Sequence, residues 1–499
     1  MQIEVISASV TSVRSEALVV NLFEGVAAPG GATGALDAAL GGLISRAIAR
    51  GDLRGKLGEV LVLYPEGRIP AARVLVAGLG KSDKFSYETV RVASANAAKR
   101  ARELGATSMH TIVHGAGVGG LDPEKAAEAV VEGSILGLYR FRELKTESPD
   151  RPDVRHLSLV EQDPAKASAI ERGARAGQAI AESTSFARDL VNLPANILTP
   201  GKMAEIASNM AGIAGLSARI LDEGEIMRVG MNAYLSVARG SHHPPRFIIV
   251  EHNSRRQDYP CVVLVGKAVT FDSGGLSLKP AEGMEGMKGD MAGGAAVLGT
   301  LRAAALLDLP IRLVGLVPAA ENMPGGGASR PGDVVRSLKG LTVEIISTDA
   351  EGRLCLADAL TYAGEWRPQA VLDIATLTGA CSVALGNQAA GAMGDEALVG
   401  SLVKAGKMSG ERVWPLPLFE EYDEQLKSDV ADVKNTGGRP AGALTAGRFL
   451  SKFVPPGVPW AHIDMAGVSR EDKGRPYIPK GATGYGVRLL VELLRDWHR

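Results

Sequence analysis

VGKAVTFDSGGLSLKPAEGMEGMKGDMAGG, residues 265–294, is the stretch that decides the predicted architecture of this chain. The apolar run 261–265 that leads into it is typical of a fully buried strand, and the alanine-rich segment 292–307 at its end is typical of a helix. Between them, a glycine-rich backbone places Lys267, Asp272, Lys279 and Asp290 within two dozen residues. Charged side chains at the carboxyl end of a buried strand indicate a site in an open α/β sheet.

Length and composition indicate a two-domain protein of ordinary type. The chain has 499 residues, of which 45% are hydrophobic and 22% charged. A net charge of −1 provides no global field for recruiting nucleic acid or a membrane surface. The three cysteines are too few for a disulfide framework and predict a reducing compartment. Because no signal-peptide pattern and no apolar run long enough for a bilayer occurs, we expect a soluble, cytoplasmic protein.

The first 163 residues predict an α/β domain with a mixed sheet, because short β-rich runs alternate with helical patterns. The predicted strands are 2–6, 17–22, 59–63, 74–77, 111–114 and 157–160, and the predicted helices are 36–48, 88–103 and 124–138. No nucleotide fingerprint occurs here: residues 78–81 form a lone Gly-x-Gly-Lys without the remaining phosphate-loop spacing. Since this part also lacks a cluster of ligands or acid–base groups, we assign it to assembly or regulation.

A long helical pattern, residues 164–192, is predicted to connect this domain to a larger α/β catalytic domain at 193–499. Pro194 lies just beyond the predicted end of the connecting helix. The predicted strands of the second domain are 247–251, 261–265, 312–317, 343–347, 370–374 and 460–464, and its predicted helices include 292–307 and 352–364.

A second charged cluster, TDAEGR at residues 348–353, directly follows the predicted strand 343–347. It adds Asp349 and Glu351 to Asp272 and Asp290. If the strands before the two clusters are neighbours, four carboxylates meet at one sheet edge, where like charges raise one another's pKa. Divalent cations relieve this conflict, and two-metal hydrolases hold them about 3.5–4 Å apart. Taken singly, each Asp is better explained as a helix cap or a loop charge; taken together, they favour a metal site.

Histidine is absent from both clusters, although the chain has eight. Neither HExxH nor Gly-x-Ser-x-Gly is present, which disfavours a mononuclear zinc protease and serine–histidine catalysis. His242 and His243 precede two prolines and are better explained as a surface turn than as a ligand pair.

Three basic residues accompany the carboxylates. Lys267 is either an ion-pair partner or a neutral amine ligand, and the second role requires a strongly depressed pKa. Lys279 and Arg353 would provide fixed positive charge where a carbonyl oxygen becomes an oxyanion. Gly352 allows a tight turn into the predicted helix, and anions bind at such helix starts.

Seven separate blocks of this sequence resemble the leucyl aminopeptidase (cytosolic aminopeptidase) family of two-metal exopeptidases. They are DLVNLPANILTP (189–200), VGKAVTFDSGGLSLKP (265–280), MKGDMAGGAAVLG (287–299), STDAEGRLCLADAL (347–360), ADVKNTGGRPAG (431–442), WAHIDMAG (460–467) and GATGYGVRLL (481–490). One departure is visible, because the family usually has Asn where this chain has Ser347. That position borders the substrate pocket in the family, so the departure affects the expected side-chain preference and leaves the chemistry unchanged.

The resemblance implies a role for each matched position. The ligands of two divalent cations would be Lys267, Asp272, Asp290, Asp349 and Glu351. Lys279 would polarise the scissile carbonyl, and Arg353 would hold a bicarbonate ion that serves as general base. Residues lining the first side-chain pocket would be Met287, Thr376 and Leu377. The resemblance also implies a homohexamer and a metal pair of Zn or Mn, with Mg or Co as further candidates.

We therefore predict a metal-dependent aminopeptidase that releases N-terminal residues, preferably apolar ones such as Leu, from peptides. Two alternatives belong to other classes. An architectural DNA-binding role, found in some bacterial members of the family, would need a basic groove, which the net charge of −1 does not support. A two-metal phosphoesterase is disfavoured by the weak phosphate-loop pattern.

Overall fold

The computed structural model describes residues 1–117, 119–148 and 150–497. The chain forms two compact units. The first is Met1–Ser185 together with Asp472–Lys480, and the second is Phe186–Glu471 together with Gly481–Arg499. In the described part of the chain, no helix is long and apolar enough to cross a membrane.

The first unit is built on a six-stranded mixed sheet, as predicted. Its strands are β1 (Gln2–Ser7), β2 (Leu18–Phe23), β3 (Val60–Leu63), β4 (Val74–Gly80), β5 (Ser108–Ile112) and β6 (His156–Glu161). The spatial order is β1-β6-β5-β2-β4-β3, in which β3 alone runs antiparallel to its neighbour. The carboxyl ends of the other five strands therefore lie along one edge of the sheet.

Helices cover both faces of this sheet. They are α1 (Gly31–Ala39), α2 (Leu43–Arg50), α3 (Tyr87–Glu103) and α4 (Pro123–Leu138), and α5 (Pro164–Asn192) runs on into the second unit. Successive residues of β2 point to opposite faces: Val20 shares a core cluster with Leu36 of α1, whereas Val19 shares another with Val130 of α4. The single helix predicted at 36–48 is wrong. It is split into α1 and α2 because Gly41 and Gly42 adopt left-handed φ values of 66° and 80°.

The second unit contains a nine-stranded mixed sheet and two small sheets. Its strands are β7 (Ser217–Leu221), β8 (Arg246–His252), β9 (Cys261–Gly266), β10 (Ala268–Asp272), β11 (Arg312–Asn322), β12 (Val334–Arg336), β13 (Thr342–Glu344), β14 (Ala370–Ala375), β15 (Ala390–Gly394), β16 (Val413–Pro415), β17 (Val433–Lys434), β18 (Trp460–Asp464), β19 (Arg470–Glu471) and β20 (Gly481–Ala482). The large sheet has the order β16-β15-β18-β14-β9-β11-β8-β7. The ninth strand, β10, pairs in parallel with the carboxyl end of β11, beyond the residues of β11 that pair with β9.

Helices pack on both faces of the large sheet. They are α6 (Pro200–Ala214), α7 (Glu223–Val229), α8 (Asn232–Ala238), α9 (Ala292–Leu306), α10 (Gly352–Tyr362), α11 (Gly379–Leu385), α12 (Glu396–Ser409), α13 (Gly442–Ser451) and α14 (Val487–Arg495). Val263 of β9 shares a core cluster with Leu356 of α10. On the other face, Gly315 of β11 lets Val297 and Leu301 of α9 approach its backbone closely. The predicted larger α/β domain is confirmed.

The predicted strand 343–347 is wrong in length and in place. β13 ends at Glu344 and pairs with β12 and β17 in a separate three-stranded sheet, so it is no neighbour of β9. The backbone N–H groups of Ile346 and Ser347 donate to the side-chain Oδ1 of Asn435, at 2.8 and 3.3 Å. A side chain thus takes the place of a sheet partner, and the second charged cluster reaches the first through a loop.

Candidate metal centre

The strands β9 and β10 follow one another in the chain, and together they position Lys267 and Asp272. β9 lies between β11 and β14 in the centre of the large sheet, and Lys267 follows its last residue. Asp272 is the last residue of β10 and pairs in register with Asn322, the last residue of β11. Both side chains are buried. The sheet interior therefore fixes where these two groups emerge.

Two glycine residues, Gly293 and Gly352, pack closely against Lys267. A Cβ at position 352 would lie 2.5 Å from Lys267 Cε, and one at position 293 would lie 2.1 Å from the carbonyl oxygen of Ile374. Such approaches are closer than any side chain tolerates. Glycine is thus required at position 293, where the obstacle is backbone, whereas a Cβ at position 352 could be accommodated only if the Lys267 side chain moved away.

Three carboxylates meet at this point. Oxygen atoms of Asp272, Asp290 and Glu351 lie within 4.8 Å of one another, and all three residues are buried. Asp349 completes the predicted set from the solvent side, with a side chain that is 38% exposed. The four carboxylates predicted from the two clusters do converge, although the strands before them are not neighbours.

Each lysine bridges two of these carboxylates. Lys267 Nζ lies 2.8 Å from Asp290 Oδ2 and 2.7 Å from Glu351 Oε1. Lys279 Nζ lies 2.8 Å from Asp272 Oδ2 and 2.5 Å from Asp349 Oδ1. Of the two roles predicted for Lys267, the ion pair is the one that its side chain forms here.

The pKa shifts show how strongly these charges depend on one another. Burial alone would lower the pKa of Lys267, but the facing carboxylates, Asp290 first, outweigh it and raise that pKa. Burial also raises the pKa of Asp290 well above its ordinary range, and burial raises the pKa of Asp272 and Asp349. Added positive charge would therefore stabilise the ionised carboxyl groups.

The donor set fits hard divalent cations. Carboxylate oxygens are the ligands that such cations prefer. Asp290 Oδ2 is buried and ion-paired with Lys267 Nζ at 2.8 Å, and no other donor to it occurs among the described residues. A buried carboxylate oxygen with spare acceptor capacity, beside two further carboxylates, is what a cation site requires.

Several neutral residues that the sequence analysis did not single out hold the acids in place. Asn322 Nδ2 donates to Asp272 Oδ1 at 2.8 Å and to the carbonyl oxygen of Thr348 at 3.0 Å, which ties the two clusters together. The Gly274 N–H also donates to Asp272 Oδ1, at 2.9 Å. The position of Asn322 at the end of an apolar strand is the only signal that the sequence offers for it.

Arg353 lies in the first turn of α10 and is buried. Its Nη1 donates to the carbonyl oxygen of Asn435 at 2.8 Å, while its Nε has no partner within the described residues. Burial lowers its pKa to about 10. It pairs with no carboxylate in the part of the chain that the structure describes, so the acidic cluster does not neutralise its charge.

The predicted pocket residues come from two segments. Met287 is half-buried in the 3₁₀ turn Met284–Gly289, which precedes Asp290. Thr376 and Leu377 follow β14 and are also half-buried. Thr376 touches the carboxylate cluster directly, because its Oγ1 donates to Asp290 Oδ1 at 2.7 Å.

Comparisons with known proteins agree on one family. The family model described as "Cytosol aminopeptidase family, catalytic domain" matches residues 185–491, and the model described as "Cytosol aminopeptidase family, N-terminal domain" matches residues 19–148. A probable cytosol aminopeptidase of Geotalea uraniireducens (strain Rf4) is 50% identical over 470 residues, which is 92% of each chain. The cytosol aminopeptidase of Pseudomonas aeruginosa strain PAO1 is 45% identical over 469 residues, which is 94% of each chain.

Solved structures show the same similarity. A mutant of tomato leucine aminopeptidase superposes with a TM-score of 0.88 at 35% identity, covering 99% of this chain and 96% of that one. The bottromycin maturation enzyme BotP in complex with Mn superposes with a TM-score of 0.86 at 36% identity, covering 97% of this chain and 100% of that one.

Proposed function

The chain belongs to the cytosol aminopeptidase family and is a metal-dependent aminopeptidase, and from this premise we propose that it removes apolar N-terminal residues such as Leu from peptides, using two divalent cations. The observation that supports the proposal is the meeting of Asp272, Asp290 and Glu351 within 4.8 Å at a buried site beside two lysines.

The residues that would hold the cations are those of the two clusters. They are Lys267, Asp272, Asp290, Asp349 and Glu351. Bound there, Zn or Mn, or in their place Mg or Co, would supply Lewis-acid activation of water and of the scissile carbonyl. The neutral residues Asn322 and Thr376 keep two of the acids oriented through their hydrogen bonds to Asp272 and Asp290.

Lys279 would stabilise the negative charge that develops on the scissile carbonyl oxygen. Burial would lower its pKa, but Asp272 and Asp349 outweigh that effect, so its pKa is raised and the ammonium keeps its charge at neutral pH. Its side chain is 21% exposed and is the more accessible of the two lysines. A fixed positive charge at such a place lowers the energy of an oxyanion.

Arg353 would hold a small anion, with bicarbonate as the candidate, which would supply a general base. Its guanidinium is buried, forms no ion pair with a described carboxylate and has an unpartnered Nε. A buried cation with spare donors at the start of a helix is suited to a carboxylate-like anion.

Met287, Thr376 and Leu377 would line the pocket for the side chain of the substrate's first residue. Ser347, in place of the family's Asn, would affect which side chain is preferred. We further propose that the protein acts in the cytoplasm as a homohexamer and that residues 1–163 serve assembly or regulation. The DNA-binding alternative gains no support from a net charge of −1.

A panel of aminoacyl anilides tests the substrate class. We expect the purified protein with added Mn or Zn to hydrolyse the leucine anilide faster than the aspartate or lysine anilide, and not to hydrolyse a phosphate ester. A preference for charged residues would contradict the proposed pocket. Hydrolysis of the phosphate ester at a similar rate would contradict the restriction of the site to peptide bonds.

A further inference from the structure

A cavity of about 570 Å³ lies at the carboxyl edge of the six-stranded sheet in the first unit. Its lining residues all fall between Ala8 and Lys166, so the cavity belongs to this unit alone. Cavities of about 300–1,000 Å³ are typical of small-molecule sites. None of the residues assigned to the metal centre contributes to it.

The cavity lies where the sheet reverses its winding. β2 and β5 are neighbours, but the chain leaves β2 towards β4 through α1, α2 and the edge strand β3, and leaves β5 towards β6 through α4. Leu36 belongs to the core cluster of Val20 and Val130 to that of Val19, which places α1 and α4 on opposite faces. In open α/β sheets, ligands bind outside the carboxyl ends of the strands at such a reversal. Phe23, at the end of β2, lines the cavity there.

The start of α1 supplies hydrogen-bond donors to the cavity. Gly30, Gly31, Ala32 and Thr33 are all lining residues. The N–H groups of Gly31, Ala32 and Thr33 donate to no acceptor among the residues that the structure describes, and the N-cap Gly30 has no side chain to cap them. Free N–H groups at a helix start favour a bound anion, phosphate above all.

Charged groups at the rim are few. Lys166 lines the cavity, and its one ion pair with a residue that the structure describes is long, 3.9 Å from Nζ to Asp163 Oδ2. Glu161 also lines it, and its Oε1 accepts from the N–H groups of Gln162 and Asp163, both at 2.9 Å. Glu161 keeps its negative charge, which Lys166 balances at the opening, so an anion in the cavity would be bound mainly by the N–H groups at the start of α1.

The rest of the cavity wall suits an uncharged, largely apolar part of a ligand. Val10, Val26 and Ile112 line it. Asn21, also a lining residue, donates from Nδ2 to His114 Nδ1 at 3.0 Å, and its Oδ1 has no partner among the described residues. An apolar wall with one free acceptor and a separate anion site matches a ligand that has a planar base at one end and a phosphate at the other.

We propose that this cavity binds a nucleotide, with the phosphate at the start of α1 and the base against the wall that includes Phe23 and Ile112. The site escaped the sequence analysis because its anion donors are main-chain N–H groups of Gly31, Ala32 and Thr33, which require no Gly-x-Gly-x-x-Gly spacing. The nucleotide is a ligand of the first unit and takes no part in peptide hydrolysis.

Calorimetric titration of the full-length protein with adenosine 5′-monophosphate, adenosine and inorganic phosphate tests the proposal. We expect the nucleotide to bind at least about tenfold more tightly than either fragment, because it alone satisfies both parts of the site. If adenosine bound as tightly as the nucleotide, the proposed phosphate site would be contradicted. If phosphate bound as tightly as the nucleotide, the proposed base site would be contradicted. No binding of the nucleotide at millimolar concentration would overturn the proposal.

Two tryptophan variants on the same helix provide the matched control. Ala35 and Ala38 are both exposed on α1, but only Ala35 lines the cavity. Ala35→Trp should weaken nucleotide binding by at least about tenfold, and Ala38→Trp should leave it within about twofold of the parent. Equal losses in the two variants would overturn the assignment. Lys166→Glu, compared with the exposed non-lining Lys84→Glu, repeats the test should either tryptophan variant fold poorly.

The same variants separate this proposal from that for the catalytic site. Hydrolysis of the leucine anilide should remain at the parent rate in Ala35→Trp, since the residue lies in the first unit and outside the metal centre. Loss of nucleotide binding with full hydrolysis is therefore the expected result. Loss of hydrolysis with full nucleotide binding would contradict the separation of the two sites.

Discussion

Replacing Gly352 by Ala tests whether the placement of the Lys267 side chain supports activity. The added Cβ would lie 2.5 Å from Lys267 Cε and 2.6 Å from its Nζ. Lys267 is 3% exposed and forms ion pairs of 2.8 and 2.7 Å with Asp290 and Glu351. The lysine therefore cannot move away without lengthening at least one of these contacts.

Two opposing terms set the size of the effect on stability. Forcing extra volume into a packed interior costs about 1–3 kcal/mol, whereas replacing glycine by alanine in an unobstructed helix gains about 0.5–1 kcal/mol. We expect Gly352→Ala to lower the free energy of unfolding by up to about 2.5 kcal/mol as the net of these terms. We also expect kcat to fall by about 10²-fold, because a displacement of about 1 Å at a reacting centre has that effect.

The assay is kcat for the leucine anilide, measured together with denaturant unfolding of the same preparations. Gly400→Ala in α12 is the matched control, because no atom lies within 4 Å of its added Cβ. It should gain about 0.5–1 kcal/mol and keep the parent kcat. Parent kcat and increased stability in Gly352→Ala would refute the argument that the lysine is fixed by this contact.

Three further changes probe other parts of the account. Lys279→Ala should lower kcat by about 10²–10³ with an unchanged metal content, which is the range for losing one oxyanion donor; an emptied metal site would instead make it a ligand. Lys267→Arg should lose cations and activity, because a guanidinium cannot shed its proton to become a ligand; two tightly held cations with full activity would leave Lys267 as an ion-pair partner only. Burial alone would lower the pKa of His462, but Asp373 Oδ1, 2.5 Å from its Nδ1, raises it above the ordinary value of 6.5. The ion pair of His462 with Asp373 therefore stabilises the fold below about pH 6.5, and this stabilisation is lost as the pH rises through the raised pKa. We expect His462→Gln to lower the free energy of unfolding more near pH 6 than near pH 9. An equal loss at both pH values would contradict this.

Sequence patterns predicted the sheets better than the connections between them. The strands β9, β14 and β18 were predicted almost to the residue, because every residue in them is buried and their apolar runs are interrupted only by Asp373, His462 and Asp464. The strand β10 was missed, since its five residues include Thr270 and Asp272 and lie within a glycine-rich stretch. Gly41 and Gly42 were passed over within an apparently continuous helical pattern, although their left-handed conformation ends α1.

The sequence predicts the part of the candidate site in which charged residues cluster, but it does not predict the single neutral residues that hold the clusters in place. Asp272, Asp290 and Glu351 come together as the clusters suggested. Asn322 and Asn435 were not foreseen, because an isolated asparagine carries no spacing pattern and acts only through contacts between distant segments. The roles given to the matched residues remain predictions that rest on the family resemblance.

Metal stoichiometry tests the central claim most directly. After equilibrium dialysis against Mn or Zn, the parent protein should hold two divalent cations per chain, measured by mass spectrometry. Glu351→Ala should hold at most one, stay folded and lose nearly all activity, whereas Glu282→Ala, an exposed acid in the neighbouring loop, should keep both cations. Two cations per chain and activity within about tenfold of the parent in Glu351→Ala would contradict the assignment of this cluster as the catalytic metal centre.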